Sequence, residues 1–414
     1  MTGAAGANPG GSAPAGGVDS GANAGREASV APARDAAPVA DALPTADPVP
    51  SKDYARQYRA LVAELLPELE RVLLEEDPVL GPSVAAFESE FAVYVRARHA
   101  VGVNSGTDAL VLALRGLGVG AGDEVITAAN TFVATVHAIR QVGARPVLVD
   151  PDPRTMLLDA DAAAAAIGPH TRALLPVHLY GRACDGPAFR ALAAARDLHL
   201  IEDVAQAHGA RCADGTPAGS GASAGCFSFH PSKNLGAFGD GGCVTTDSAE
   251  LTASLERLRN LGKRGKYEVH DVAPNSKLDT LQAAILRVKL RHLEGWIERR
   301  GDHAARYAEA LADIDELTLP EPGPGRHAWH LYVVRTPRRD ELRSWLASRG
   351  VKAGLHYPIP PHLQPAHADL GYARGALPVA EALADQVLSL PVSHELEGRE
   401  IQRVCDALRQ FHAL

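Results

Sequence analysis

One lysine of this 414-residue chain lies in a setting that favours an uncharged amine. Lys233 lies in a short loop between two apolar, strand-like segments, and its neighbours in the loop are aromatic, serine and glycine residues. Partial burial disfavours the ammonium form of a lysine and lowers its pKa, and a neutral amine can attack a carbonyl carbon. The pattern therefore predicts a lysine that forms a Schiff base. A surface lysine beside a glycine-rich turn is the alternative.

A carboxylate follows an apolar segment upstream of this loop. Residues 198–201 lead into Glu202 and Asp203, and small residues come next. In an open parallel α/β sheet, side chains at the carboxyl ends of the strands face the ligand crevice. A carboxylate there, paired with Lys233, suits pyridoxal 5'-phosphate (PLP), because the acid keeps the pyridine nitrogen protonated and the ring then accepts electrons. A helix N-cap is the other role open to Asp203, and the two roles are compatible.

A Ser-Gly-Thr turn between a predicted strand and a predicted helix, over residues 101–114, supplies a third element. Free backbone N–H groups and the positive end of the helix dipole can hold the cofactor phosphate at such a turn. Gly106 allows close approach of the backbone, and Ser105 or Thr107 can add a hydroxyl group. The turn alone is weak evidence, since Ser and Thr cap many helices. Together with Lys233 and Asp203 it predicts a PLP site.

Alternating strand-like and helix-like segments between residues 99 and 247 must position these groups. Such alternation predicts a mostly parallel sheet with helices on both faces. Strands are predicted at 99–104, 124–127, 146–150, 173–178, 199–203, 226–229 and 243–246, and later at 330–335. Helices are predicted at 53–74, 107–117, 132–142, 186–196, 249–261, 339–349 and 397–411, with a long helical pattern over 279–311. We predict a disordered Ala/Gly/Pro-rich tail (1–50), a large PLP-binding domain (51–295) and a smaller α+β domain (296–414).

Composition narrows the class of protein. A net charge of -9 and a pI of about 6.0 argue against binding to nucleic acid or to an anionic membrane. Five cysteines without Cys-x-x-Cys spacing indicate reduced, buried thiols. No apolar stretch is long enough to span a bilayer. We expect a cytoplasmic enzyme without a metal site.

Several longer motifs identify a family. They include Asn-Ser-Gly-Thr-Asp-Ala-Leu over 104–110, Ser-Phe-His-Pro-Ser-Lys-Asn-Leu-Gly over 228–236 and His-Tyr-Pro-Ile-Pro-Pro-His over 356–362, with others at 122–126, 177–181, 202–210, 275–279 and 282–286. From about residue 54 onward the chain resembles the DegT/DnrJ/EryC1/StrS family of PLP-dependent nucleotide-sugar aminotransferases, of fold-type I. The resemblance implies a seven-stranded, mostly parallel sheet and a two-stage transamination. Lys233 would be the Schiff-base lysine and proton carrier, and Asp203 the partner of the pyridine nitrogen.

The resemblance also implies cofactor contacts. Phe132 would lie against the face of the pyridine ring, although a core aromatic is the alternative, and Gln206 would contact the ring oxygen. Ser228 would bind the phosphate, together with the turn at Gly106 and Thr107. Asn275 would reach the phosphate from the other subunit, which implies a homodimer with shared active sites.

The chain departs from its relatives around that asparagine. Many of them have Gly two residues before it and Arg two residues after it, where this chain has Ala273 and Lys277. A lysine cannot form the bidentate phosphate contact of an arginine.

Substrate contacts are predicted for five residues: His178, Tyr180, Lys266, His356 and His362. Lys266 belongs to a basic loop that would face a nucleotide diphosphate or form a solvated turn. The region 266–279 and the 356–362 loop most resemble 3-aminotransferases, which act on dTDP-3-keto-6-deoxy sugars in antibiotic biosynthesis, with glutamate as the usual donor. A 4-keto sugar, a cyclitol ketone and a non-catalytic regulatory role remain alternatives. A histidine replaces the lysine in related sugar dehydratases, so Lys233 argues against that reaction.

Overall fold

The computed structural model describes residues 47–413. The predicted disordered tail falls mainly on residues 1–46, outside the described part of the chain. Its last residues are described, and Val49 among them is fully buried. The amide of Val49 donates to Gly350 O at 2.8 Å, and its carbonyl accepts from the amide of Lys352 at 3.0 Å. The packed part of the chain therefore includes residues before the predicted boundary at residue 50.

Helices and strands alternate along most of the described chain. The helices are α1 (Tyr54–Glu75), α2 (Pro82–Val95), α3 (Gly106–Gly116), α4 (Val133–Gln141), α5 (Ala160–Ala165), α6 (Gly186–Arg196), α7 (Ala249–Arg259), α8 (Thr280–Leu290), α9 (Leu293–Leu311), α10 (Arg339–Ser348), α11 (Pro378–Gln386) and α12 (Gly398–His412). The strands are β1 (His99–Val103), β2 (Glu124–Ala128), β3 (Arg145–Val149), β4 (Thr171–Leu175), β5 (His199–Asp203), β6 (Ala224–Ser228), β7 (Gly242–Thr246), β8 (Lys263–Arg264), β9 (Glu268–Val269), β10 (Tyr332–Arg335) and β11 (Val387–Leu390). Short 3-10 turns lie at Leu179–Gly181, Pro361–Leu363 and Pro365–Leu370.

Seven strands form one sheet in the order β1-β7-β6-β5-β4-β2-β3. Strand β7 is antiparallel to both of its neighbours, and the other pairs are parallel. Strands β4 to β7 are buried along most of their length. This burial is typical of a mostly parallel sheet with both faces covered, whose strands consist of nearly continuous apolar residues. The predicted seven-stranded, mostly parallel α/β fold is confirmed.

A second core lies in the C-terminal part of the chain. Strands β10 and β11 pair antiparallel, and α9, α10 and α12 contribute buried side chains to the same apolar cluster, which also contains Val49. The helical pattern predicted over 279–311 is two helices, because the chain leaves the helix at Arg291 and His292. The division into domains at residue 295 stays a prediction. Among residues 47–413, no helix is both long and apolar enough to cross a membrane.

Candidate active site

Lys233 follows strand β6 in a short loop, and the residue is partly buried. Its backbone amide donates to His230 O at 2.8 Å, and the next side chain, Asn234, donates to Ala328 O at 2.7 Å, which fixes the loop. Burial lowers the pKa of the Lys233 amine to about 8, and the nearby charge of Asp203 opposes that shift. About a tenth of this amine is therefore uncharged at pH 7 and about half at pH 8, far more than for a solvated lysine, as the loop composition predicts.

Asp203 ends strand β5 and is only 5% exposed. Its Oδ2 accepts a hydrogen bond from Thr135 Oγ1 at 2.8 Å, and its Oδ1 accepts one from the amide of Ala205 at 3.1 Å. Thr135 Oγ1 also lies 2.8 Å from Thr131 Oγ1. Burial raises the pKa of the Asp203 carboxyl, although the two hydrogen bonds and the charge of Lys233 act in the opposite direction. A cationic ring nitrogen beside this carboxylate would offset the cost of its burial.

The Ser-Gly-Thr turn lies against the end of strand β6. Ser105 caps helix α3, with its Oγ accepting from the amide of Asp108 at 3.1 Å. A Cβ atom on Gly106 would lie 2.5 Å from the Cβ of Ser228, so only glycine permits this approach. The turn thus brings Gly106, Thr107 and Ser228 together at the start of a helix, the setting that binds phosphate groups.

An aromatic side chain stands at the start of helix α4. Phe132 is the N-cap residue and is 47% exposed, so the alternative of a core aromatic is wrong. Its ring centroid lies 5.3 Å from that of Tyr357. Gln206 connects the same region, because its Oε1 accepts from the amide of Tyr180 and its Nε2 donates to the Tyr357 hydroxyl at 2.9 Å. The site thus offers a group for each part of PLP. The Lys233 amine suits the aldehyde, the Asp203 carboxylate suits the pyridine nitrogen, and the start of helix α3 suits the phosphate. The exposed ring of Phe132 suits the face of the pyridine.

The five predicted substrate contacts separate into three groups. His178 and His362 are fully enclosed, each within 3.2 Å of a glutamate, and neither ring has a surface open to the cleft. His178 Nε2 faces Glu202, and its Nδ1 accepts from the amide of Cys184. Burial opposes the charging of His178, but Glu202 outweighs it and raises the pKa of the imidazole well above its usual value. These placements favour a structural role for both histidines.

Tyr180 and His356 contact each other, and the charge of Lys233 acts on His356. The Tyr180 hydroxyl donates to the His356 carbonyl, and His356 Nδ1 lies 2.8 Å from Ser389 Oγ. Burial, together with the nearby charges of Lys233 and Lys52, lowers the pKa of His356 to about 4. His356 is therefore neutral near pH 7 and can offer a hydrogen bond rather than a charge.

Lys266 and Asn275 are both exposed. Lys266 lies on the hairpin formed by β8 and β9. The Asn275 backbone pairs with that of Asn260, and its Oδ1 accepts a hydrogen bond from the amine of Lys277. An exposed position is compatible with the predicted contact across a subunit interface.

The comparisons with known proteins agree with this geometry. Residues 60–409 match the profile of the DegT/DnrJ/EryC1/StrS aminotransferase family. This chain belongs to that family. The predictions of the family and of an aminotransferase are therefore confirmed.

Relatives within the family are similar over nearly their whole length. A dTDP-3-amino-3,4,6-trideoxy-alpha-D-glucose transaminase of Streptomyces venezuelae is 50% identical over 360 residues, which cover 87% of this chain and 95% of that protein. A crystal structure of DesV from S. venezuelae, in complex with a ketimine intermediate, has a TM-score of 0.87 and 48% identity, covering 89% of this chain and all of that one.

A structure of NtdA from Bacillus subtilis is described with bound cofactor PMP, the amino form of PLP. It has a TM-score of 0.83 and 32% identity, and covers 90% of this chain and 87% of that one. Together with the family match, it confirms the prediction of PLP as the cofactor.

Sequence reasoning missed two residues that hydrogen-bond to predicted site residues, Thr135 and Tyr357. Thr135 carries one of the two hydrogen bonds to Asp203, and its only signal is the Thr-x-x-x-Thr spacing, because Thr131, just before α4, lies within hydrogen-bond distance of Thr135 in the first turn. Tyr357 lies inside the recognised 356–362 motif.

Proposed function

We propose that this chain transfers an amino group from L-glutamate to a keto nucleotide sugar, with a dTDP-3-keto-6-deoxyhexose as the acceptor. The pairing of the Lys233 amine, whose pKa is about 8, with the buried Asp203 carboxylate is the observation that carries the catalytic part. The sugar is supported by the 50% identity to a transaminase named for a dTDP-3-amino sugar. A 4-keto sugar or a cyclitol ketone stays an alternative.

Each residue has a defined task in this reaction. PLP, when bound, supplies an electron sink that stabilises negative charge on the substrate carbon. Lys233 Nζ removes a proton from that carbon and returns one, because a pKa near neutrality lets the same amine act as base and then as acid. Asp203, oriented by Thr135, holds the proton on the pyridine nitrogen. Phe132 covers one face of the ring.

Two experiments test this assignment. The PMP form of the protein, incubated with 3-keto and 4-keto nucleotide sugars and a cyclitol ketone, should convert to the PLP form with the 3-keto sugar. Lys233→Ala should abolish turnover and the visible absorbance of lysine-bound PLP, whereas Lys352→Ala, at an exposed lysine, should preserve both. Near-normal turnover in Lys233→Ala would refute the catalytic role. A spectrum that no amino donor changes would favour the regulatory alternative.

We also propose a homodimer with shared sites in the cytoplasm. Leu73 and Leu74 on α1 and Val272 beyond the β8–β9 hairpin are at least 70% exposed, which suits an interface. If Asn275 serves the partner's site, Lys233→Ala and Asn275→Ala subunits are each inactive alone. Random mixing of the two should restore about a quarter of the wild-type sites, since half of the dimers are mixed and each has one intact site. No recovery in mixed dimers would exclude site sharing.

A further inference from the structure

Two residues of helix α8 contact the backbone of the loop that carries Lys233, and the reaction described above gives them no task. Gln282 opens the 282–286 motif, and Lys289 lies seven residues further along the same helix. Seven residues make almost two full turns of an α-helix, so the two side chains share one face. Lys289 is only 1% exposed, and a lysine is rarely buried so fully without a partner.

The Lys289 amine contacts the loop at two points. Its Nζ donates to the carbonyl oxygen of Gly236 at 2.7 Å and lies 3.9 Å from the centre of the Phe238 ring. Burial lowers the pKa of this amine to about 7, so about half of it is neutral at pH 7. A neutral amine still has N–H groups to donate. The hydrogen bond to Gly236 therefore depends on an N–H donor and not on a fixed positive charge.

Gln282 holds the same loop two residues further along the chain. Its Oε1 accepts from the backbone amide of Phe238 at 2.8 Å. A Cβ atom on Gly239 would lie 3.2 Å from Gln282 Nε2, so the loop backbone lies directly against this side chain. One face of α8 thus binds both an acceptor and a donor of the loop backbone.

These contacts reach Lys233 through a compact turn. The backbone amide of Lys233 donates to His230 O at 2.8 Å. A Cβ atom on Gly236 would lie 3.0 Å from that same oxygen and 2.6 Å from Pro231 O, so the backbone of Gly236 lies against both carbonyl groups. The segment from 230 to 236 is therefore a closed turn with Lys233 at its centre, and α8 holds the end of this turn.

We propose that Lys289, together with Gln282, is a positioning residue for the catalytic lysine. The two side chains hold the loop backbone so that Lys233 Nζ lies within reach of the reacting carbon. This role rests on the proposed function, in which Lys233 moves the proton. The pKa of Lys233 depends on its burial and on the charge of Asp203, so the α8 pair acts through the geometry of the loop.

Single-turnover conversion of the PLP form to the PMP form by L-glutamate measures this placement. Lys289→Met keeps most of the length and the apolar stem of the side chain and removes the N–H donor. The limiting rate should fall about 10- to 100-fold, because a displacement of about 1 Å at the reacting groups has an effect of this size. The half-saturating glutamate concentration should stay at the wild-type value, since no contact with the donor is lost.

Hydrogen exchange in the PLP-bound protein reports the order of the loop without any reaction. The backbone amides of Lys233 and Phe238 should exchange about tenfold faster in Lys289→Met, because the buried carbonyl of Gly236 loses its donor. The amides of strand β4, on the far side of β5, should exchange at the wild-type rate.

Gln282 provides a conservative pair on the same helix face. Gln282→Glu keeps an oxygen that accepts from the Phe238 amide and should retain most of the wild-type limiting rate. Gln282→Leu removes the acceptor and should lower the limiting rate about tenfold, again with an unchanged half-saturating concentration. This pair provides the same test if Lys289→Met fails to fold.

Arg339→Met is the matched control for the loss of a buried donor. Arg339 is 8% exposed and donates to Ala384 O at 2.9 Å, in the C-terminal part of the chain. The variant should have a lower melting temperature but a wild-type limiting rate. An equal fall of the rate in Arg339→Met and Lys289→Met would reduce the effect to a general loss of stability and refute the positioning role.

Other outcomes would also overturn the assignment. A wild-type limiting rate in both Lys289→Met and Gln282→Leu, with the rate abolished in Lys233→Ala, would refute the positioning role and leave the proposed function intact. A raised half-saturating glutamate concentration with a normal limiting rate would assign Lys289 to donor binding instead. A wild-type protein that reacts with no amino donor would refute the proposed function and this role with it.

Discussion

The hydrogen bond from Thr135 to Asp203 gives the most direct test of how the carboxylate is tuned. Thr135→Val keeps the shape of the side chain and removes the Oγ1 donor, which lies 2.8 Å from Asp203 Oδ2. A hydrogen bond to a charged group contributes about 1.5–3 kcal/mol, and one pKa unit corresponds to about 1.4 kcal/mol. The donor stabilises the ionised form, so its loss should raise the pKa of Asp203 by about 1–2 units.

PLP affinity measured against pH reports this shift. Only ionised Asp203 can pair with a protonated pyridine nitrogen, so the acid limit of PLP binding should move to higher pH by about 1–2 units in Thr135→Val. Thr127→Val is the matched control, because Thr127 is also fully buried and donates to Leu175 O at 2.7 Å. The control should lose about 1 kcal/mol of stability with no change in the acid limit. Identical acid limits in both variants would refute the argument.

Two further predictions concern the surroundings of the site. Glu202→Gln should lower the free energy of unfolding by about 3–5 kcal/mol, because it leaves His178 buried without its counter-ion. The pKa of His178 is raised in the folded protein, so the loss of unfolding free energy should be largest below the pKa of an unfolded histidine, about 6.5. The loss should become smaller as the pH rises. Urea titrations that show the same loss of unfolding free energy at every pH would contradict this. Gly106→Ala should weaken PLP binding at least about tenfold, because the new methyl group meets Ser228 at 2.5 Å; an unchanged dissociation constant would contradict the tight packing of the turn.

Local patterns were enough to predict the sheet. Strand β5 has the predicted bounds, since an apolar segment ending in charged residues defines both ends of a buried strand. Helix ends were less accurate. Phe132 is predicted inside a helix but is its N-cap residue. The helical pattern over 279–311 does not reveal that the helix is interrupted at Arg291 and His292, because the apolar spacing continues across these two residues. Helix α2 and strand β11 were missed, and both pack against distant segments.

The site was predictable where chemistry depends on short motifs. The turn at Gly106, Asp203 and the Lys233 loop each stand out by residue type within a few positions. What escaped prediction depends on contacts between remote segments. His178 looked accessible at a strand end, but Glu202 from the neighbouring strand encloses it. Val49 is held by backbone hydrogen bonds to Gly350 and Lys352, hundreds of residues away, and composition alone grouped it with the tail.

The pairing of Val49 with Val351 has a practical consequence for anyone who shortens this protein. A recombinant form trimmed at the compositional border, after Pro50, would lose a buried valine and two backbone hydrogen bonds, worth about 2.5–6 kcal/mol in total. The cut would also create a new α-ammonium group one residue from Lys52. Such a form would be less stable and would carry an extra positive charge beside Lys52. Trimming at residue 46 avoids both effects.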